Sequence, residues 1–355
     1  MDNKAKLKKF WKNKKVFITG HTGFKGSWMS IMLNMFGANL YGYALRPNKK
    51  SLFNQSNCKS FIKKNFYGDI NDFVNLKQKL MKSKPEILFH LAAQPLVSQS
   101  FNDPLETFQT NIIGTANVLN VIRNTPSIKS VVIITTDKVY KIKNSNKKYN
   151  ELDELGGKDP YSVSKVSAEL ITNSFIESFL KKKIIATRIS TARSGNVIGG
   201  GDYAKNRLLP DIINSINTRK KVVIRNPQSV RPWQHVIEPT LGYLKLAELQ
   251  FKKNRLHKKQ NWNFGPNKRS FVKVADILKL IKKDFEIKIK IKRNKDFFET
   301  NILKLDNSKA KKFLNWQPIW NLQKSLDSVM EWNYKTKKNK NAKKVTEDQI
   351  NDYLK

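Results

Sequence analysis

A glycine loop stands between an apolar run and a helical segment near the start of the chain, and it restricts the possible folds more than any other feature. Residues 15–19 (KVFIT) read as a buried strand, GHTGFKG follows at once, and SWMSIMLNMFG then reads as a helix ending at Gly37. Gly20, Gly23 and Gly26 allow a tight turn, a close approach to a pyrophosphate, and packing of the helix on a sheet. A pyrophosphate at this place meets the free N–H groups and positive dipole end of a helix. A structural turn is the competing reading of three glycines alone.

The rest of the first half repeats the alternation. ANLYGYAL (38–45), EILFHLAA (86–93), SVVIITTD (130–137) and KIIATRIS (183–190) read as strands. Residues 73–82, 105–124 and 161–180 carry helical patterns. This rhythm predicts an α/β fold, a Rossmann-type doubly wound parallel sheet. After Ser190 it breaks into a glycine-rich loop and a proline- and arginine-containing stretch, which predicts a smaller α/β substrate-binding lobe. The expected division is residues 1–190 for the dinucleotide domain, with 235–265 crossing back to it. Residues 191–234 and 266–334 form the second lobe, and 335–355 a loose lysine-rich tail with a last helical turn or two.

The net charge of +40 comes from 68 basic and 28 acidic residues, and only 11 of the basic residues are arginine. Base reading favours arginine forks. Lysine is spread along the whole chain with abundant Asn and Ile, so a lysine-coated surface from codon usage accounts for the charge better than a nucleic-acid face. The single cysteine, Cys58, excludes a disulfide framework, and four histidines without ligand spacing argue against a metal site. The opening carries no secretory signal, and no apolar run approaches the roughly 20 residues of a membrane span. These features predict a cytoplasmic protein that needs no metal.

Tyr161 and Lys165 stand at i, i+4 in YSVSK and share one helix face. An ammonium near a phenol lowers its pKa toward working pH, making Tyr161 a base for a sugar hydroxyl. Thr136, Asp137 and Lys138 fall at the carboxyl end of a sheet strand, where open α/β sheets bind ligands. A single hydride transfer needs only a hydroxyl, a tyrosine and a lysine; the Asp–Lys pair indicates chemistry beyond that step. The second strand ends ALRP, with Arg46 where an NAD site usually has an acid, which leaves room for a 2′-phosphate and NADP. Asp69 could hold adenine instead, or simply cap a helix.

The segments FITGHTGFKGSW, HLAAQPLV, TFQTNIIGTANVL, ITTDKVY, DPYSVSK, GNVIGGGDYAKNRLLPD, IRNPQSVRPWQHV and WNFGP resemble, in order and spacing, the CDP-glucose 4,6-dehydratases among the extended short-chain dehydrogenases/reductases. Asp137–Lys138 is the discriminating pair, since the related dTDP-glucose enzymes carry Asp-Glu there. Tyr203, where that family usually has Trp, and the lead-in RISTARSGN are departures.

The resemblance implies NAD-dependent conversion of CDP-glucose to CDP-4-keto-6-deoxyglucose plus water, a step in deoxysugar biosynthesis of the O-antigen type. It implies Thr136, Asp137, Lys138, Tyr161 and Lys165 as catalytic residues. NAD falls to Gly20, Thr22, Gly23, Phe24, Lys25, Gly26, Asp69, Ile70, Leu91, Ala92, Ala93, Gln94 and Asn111, with Tyr161 and Lys165. The nucleotide sugar falls to Gln94, Thr136, Asn196, Arg207, Arg231 and His235, although His235 reads as readily as a core histidine, while Trp233 reads as packing. The helices containing 103–119 and 161–175 resemble those of a four-helix dimer interface, so a homodimer or dimer of dimers is expected, although their apolar faces could equally be internal core. Competing readings are a nucleotide-sugar epimerase or reductase of the same fold, and a non-catalytic nucleotide- or RNA-binding protein.

Overall fold

The computed structural model describes residues 3–143, 147–180, 187–252, 260–292, 302–338 and 341–355. Seven parallel strands form the central sheet: β1 (Lys15–Thr19), β2 (Asn39–Ala44), β3 (Lys64–Tyr67), β4 (Ile87–His90), β5 (Ser130–Ile134), β6 (Arg188–Ser194) and, later in the chain, β10 (Asn261–Phe264). Their spatial order is β10-β6-β5-β4-β1-β2-β3. The order reverses between β1 and β4, so the carboxyl ends of these strands frame a crevice at the switch point. β4 and β5 are buried along their whole length. Near-continuous apolar runs of this kind belong to strands covered on both faces.

The second lobe contains two small sheets. β7 (Asn196–Ile198), β9 (Val230–His235) and β11 (Phe271–Lys273) form one, in the order β11-β9-β7, and β8 (Val222–Ile224) pairs with β12 (Ile289–Ile291) in the other. The Leu208–Thr218 helix buries Leu209 and Ile212 with Val222, Ile224 and Trp233 in a separate apolar cluster. β10 returns to the main sheet by pairing with β6.

The helix bearing the YSVSK segment, Pro160–Phe175, starts with Pro160 in its first turn. Asp159 accepts from the Ser162 backbone N–H at 2.9 Å, as an N-cap should. The strand expected over 183–190 is instead Arg188–Ser194, with 181–186 outside the described residues. Its second half reads as polar, yet Arg193 and Ser194 are buried, because Glu169 of the Pro160–Phe175 helix neutralises Arg193. β3 has a half-exposed, polar sequence and no alternation that would announce it.

The tail expectation is corrected. Residues Ala342–Tyr353 form a regular helix that buries Ala342, Val345, Thr346, Gln349, Ile350 and Tyr353 on one face. The lysines occupy the opposite, solvated side, so composition hid the apolar stripe. Trp332 donates its indole N–H to Thr346 Oγ1 at 3.0 Å. Tyr353 donates its hydroxyl to the buried Glu238 carboxylate, which also accepts from the backbone N–H groups of Ile319 and Trp320 at 3.0 and 2.8 Å.

Burial pushes Glu238 up to about 7, with those three donors acting against it. A carboxyl whose folded value is raised contributes most below its unfolded pKa, and that contribution is lost as pH rises through about 7. Denaturant titrations at pH 5 and pH 8 are therefore expected to show Glu238→Gln less pH-dependent than the parent, by up to about 3 kcal/mol at 1.36 kcal/mol per unit. Equal pH slopes would contradict this.

Candidate active site

An open cleft of about 1360 Å³ lies over the carboxyl ends of the central strands and continues into the second lobe. Gly20 sits at φ +75°, and a Cβ there would fall 2.6 Å from the Ala92 backbone nitrogen. A Cβ at Gly26 would fall 2.2 Å from the Gly20 carbonyl oxygen. Only glycine fits either position, so the loop can lie close under a ligand. The Phe24–Met35 helix starts at Gly23 with no side chain capping it, leaving its N-terminal amides open to an anion. This cradle suits a dinucleotide pyrophosphate.

Gly20, Thr22, Gly23, Phe24, Lys25, Gly26, Asp69, Ile70 and the Leu91–Ala93 segment line the cleft on the side of the central sheet. Arg46 lines it too, with its guanidinium carbon 5.2 Å from the centre of the Tyr67 ring. The Asp69 carboxylate accepts from the Asn71 backbone N–H at 2.8 Å while its residue stays on the cleft wall. Lys25 donates to Ser194 Oγ at 2.9 Å. Burial lowers Lys25 to about 7, and Arg207 and Lys165 push in the same direction.

Thr136, Asp137, Lys138, Tyr161 and Lys165 meet at one stretch of the wall. The Asp137 carboxyl is 2% exposed; its Oδ1 accepts from Thr136 Oγ1 at 3.1 Å, and its Oδ2 has no hydrogen-bond partner among the described residues. Burial raises its pKa, while Lys138, the Thr136 hydrogen bond, Arg231 and Lys25 act against it. A buried carboxyl on a cleft wall whose pKa is raised, and which leaves one oxygen without a partner among the described residues, is suited to give a proton.

The backbone N–H of Tyr161 donates to Ser100 Oγ at 3.2 Å, which ties the helix start to the neighbouring helix. Burial pushes the Tyr161 hydroxyl up to about 12, with Thr136 and Arg207 acting against it. Burial is the largest influence on this tyrosine, and Arg207 is the positive charge acting most strongly against it. Lys165 is itself lowered to about 8 by burial, and Glu169, one turn further along the helix, opposes that. Neither Glu169 nor its buried partner Arg193 was anticipated; the i+4 spacing from Lys165 was the available signal.

On the second-lobe side, Asn196, Arg207 and Arg231 line the cleft. Arg207 is ion-paired with Asp202 at 3.0 Å, and Asp202 was another residue missed, despite lying five positions before it. Trp233 is buried and donates to the Val272 carbonyl at 3.3 Å, as packing requires.

Three expected ligands stand elsewhere. His235 is fully buried, with ring centres 5.3 Å from Trp28 and 4.9 Å from Trp320, and is a core histidine held neutral by burial. Gln94 and Asn111 lie behind the wall. The Gln94 amide nitrogen donates to Thr107 Oγ1 at 2.8 Å, and Asn111 Oδ1 accepts from the Gln94 backbone N–H at 2.8 Å. Asn111 Nδ2 donates to Ser164 Oγ at 2.9 Å. Both amides spend their hydrogen bonds holding the loop after β4 against the helices, so they position the wall and do not form it.

The comparisons agree with this geometry. A family model described as GDP-mannose 4,6 dehydratase matches residues 17–329. The chain is 40% identical over 354 residues to the CDP-glucose 4,6-dehydratase of Salmonella typhimurium, covering 98% of each. It is 31% identical to the dTDP-D-glucose 4,6-dehydratase of Dictyostelium discoideum over 59% of this chain and 50% of that one. The solved dTDP-glucose 4,6-dehydratase of Bacillus anthracis, in complex with NAD, superposes with a TM-score of 0.73 at 22% identity, covering 91% of this chain and 97% of that one. With its parallel sheet, glycine cradle and Tyr161–Lys165 helix, and with a match that runs nearly end to end, the chain belongs to the GDP-mannose 4,6 dehydratase family of extended short-chain dehydrogenases/reductases.

Proposed function

We propose that the protein is an NAD-dependent nucleotide-sugar 4,6-dehydratase acting on CDP-glucose and yielding CDP-4-keto-6-deoxyglucose and water. The observation that carries this is Asp137, a buried acid with one oxygen unpartnered among the described residues, between Thr136 and Lys138 on the wall that also holds Tyr161 and Lys165. The Salmonella typhimurium relative bears the name of this reaction. An epimerase has no use for such an acid beside its tyrosine, since it eliminates nothing.

The Gly20–Gly26 loop and Asp69 would hold NAD. Held there, NAD would supply the hydride acceptor for carbon 4 and the hydride donor for carbon 6 of the same sugar. Tyr161 receives the proton of the carbon-4 hydroxyl, and Thr136 hydrogen-bonds the oxygen left there. The ketone makes the carbon-5 proton acidic, and Asp137 protonates the hydroxyl departing from carbon 6. Lys138 lines the same wall and is the candidate acceptor of the carbon-5 proton. Arg207 and Arg231 suit the pyrophosphate, because a guanidinium fork pairs with phosphate oxygens.

We assign the glycine-loop half and β10 to the cofactor and the lobe around β7, β8 and β9 to the nucleotide sugar. Leu105, Ile113, Val163 and Leu170 are exposed on the two helical segments flanking the site, 70, 52, 39 and 53% accessible. An apolar face of this kind fits a homodimer. No helix among the described residues is long and apolar enough to cross a membrane, and we place the enzyme in the cytoplasm, where NAD and sugar nucleotides are made.

The test is a panel of nucleoside-diphosphate glucoses followed by mass spectrometry. CDP-glucose should lose one water without added dinucleotide, and denaturing the protein should release NAD. Release of NADP alone, or no loss of water from any substrate, would overturn the reading.

A further inference from the structure

Beyond Arg207 and Arg231 the cleft runs on between the Leu208–Thr218 helix and β8. Its walls there are apolar, with Leu209 and Ile213 on one side and Val222 and Ile224 on the other. Into this apolar end comes one carboxylate, Asp211, half-buried in the first turn of the helix. The Asp211 backbone N–H donates to the Arg207 carbonyl at 3.0 Å, so the two residues stand one turn apart on the same face. Four residues of helix advance roughly 6 Å. That is the scale on which a ribose separates a phosphate from a base. Arg225, which follows β8, closes the corner by donating to the Asn206 carbonyl at 3.0 Å.

We propose that Asp211 reads the nucleobase: its carboxylate accepts from the exocyclic amino group of cytosine and rejects uracil and thymine. The inference rests on the reading of the cleft as a nucleoside-diphosphate glucose site and goes further by naming what selects the base. Cytosine presents an N–H₂ donor where uracil and thymine present a carbonyl oxygen. A carboxylate facing the donor makes a charge-assisted hydrogen bond. Facing the carbonyl, it meets a second acceptor, and both groups lose their water without a partner. The apolar side chains suit the faces of a flat ring, and Asp211, with Asp202, Asn206, Arg225 and Asn226 also on the cleft wall, supplies the polar group that sets orientation. Burial holds the Asp211 carboxyl above the usual range, while a backbone hydrogen bond from Asn206 and the charge of Arg225 oppose the shift.

The discrimination is large in principle. A site built to hydrogen-bond a substrate group rejects an analogue lacking it by up to about 10⁴–10⁵, and the half-exposure of Asp211 makes the effect smaller here. Asparagine at 211 keeps the shape and can turn its amide nitrogen toward a carbonyl. The experiment measures kcat/KM of the full-length protein and of Asp211→Asn with CDP-glucose and with UDP-glucose. The wild type should favour CDP-glucose, and the variant should lower the CDP-to-UDP ratio at least about tenfold, chiefly through KM. Titration calorimetry with CDP and with UDP gives the same ratio from binding alone, so the test stands if the variant turns over slowly. If the wild type dehydrates CDP-glucose and the ratio is unchanged in Asp211→Asn by both methods, Asp211 does not read the base and the dehydratase reading survives. If the wild type dehydrates neither sugar, the site reading itself fails and takes this inference with it.

Discussion

Replacing Tyr161 by Phe is expected to lower turnover of CDP-glucose by about 10²–10⁴, the usual cost of losing a positioned acid–base group. The substitution removes one oxygen and keeps the ring. The contact between the Tyr161 backbone N–H and Ser100 Oγ does not involve the side chain, so the helix start should hold. The loss should fall on the chemical step, because carbon-4 oxidation needs somewhere for the hydroxyl proton to go. In the structure the Tyr161 hydroxyl is held up to about 12 by burial. The hydroxyl must therefore give up its own proton before it can accept the one from carbon 4. Wild-type kcat is thus expected to rise with pH on its acid side, and the Phe variant to lose that rise. Steady-state rates from pH 6 to pH 9 check both, and near-wild-type turnover by the variant would eliminate Tyr161 as the proton acceptor.

The second large effect separates elimination from oxidation. In Asp137→Asn the carboxyl shape is kept, but no proton can be given to the departing hydroxyl. Thr136 and Tyr161 are untouched, so oxidation at carbon 4 should survive. Mixing the variant with CDP-glucose should produce the absorbance of reduced nicotinamide, while 6-deoxy product falls by about 10²–10⁴. Lys138→Ala should behave in the same direction, since Lys165, not Lys138, lies on the tyrosine's helix. Unchanged product formation in both variants would mean that the pair merely solvates a strand end. Loss of the nicotinamide signal as well would mean that the pair orients the sugar, and the division of labour would be wrong.

Much of this site is legible in the sequence because its chemistry is local. Gly20 and Gly26 are forced by backbone approaches within a single strand–turn–helix unit. Tyr161 and Lys165 share a face by helical geometry alone. Thr136 to Lys138 follow from knowing where a parallel strand ends. What escaped reading depends on partners distant in sequence. Arg193 makes β6 look like a loop until Glu169 is placed against it. His235 looks like a ligand until Trp28 and Trp320 close around it. Gln94 and Asn111 are polar residues beside the cofactor loop, but the Asn111 amide is spent on the backbone N–H and carbonyl of Gln94. The C-terminal helix was masked by its own lysines, and its apolar stripe becomes visible only against Trp332 and Glu238.

The reaction assigned to the cleft makes one claim above all others: a hydride leaves carbon 4 and returns to carbon 6 of the same sugar. CDP-glucose carrying deuterium at carbon 4 tests it directly, with the product examined by mass spectrometry and NMR. The account predicts a product lighter by one water with the deuterium at carbon 6. Retention of water with deuterium back on carbon 4 would make the protein an epimerase, and loss of the label to solvent would contradict transfer through a bound dinucleotide.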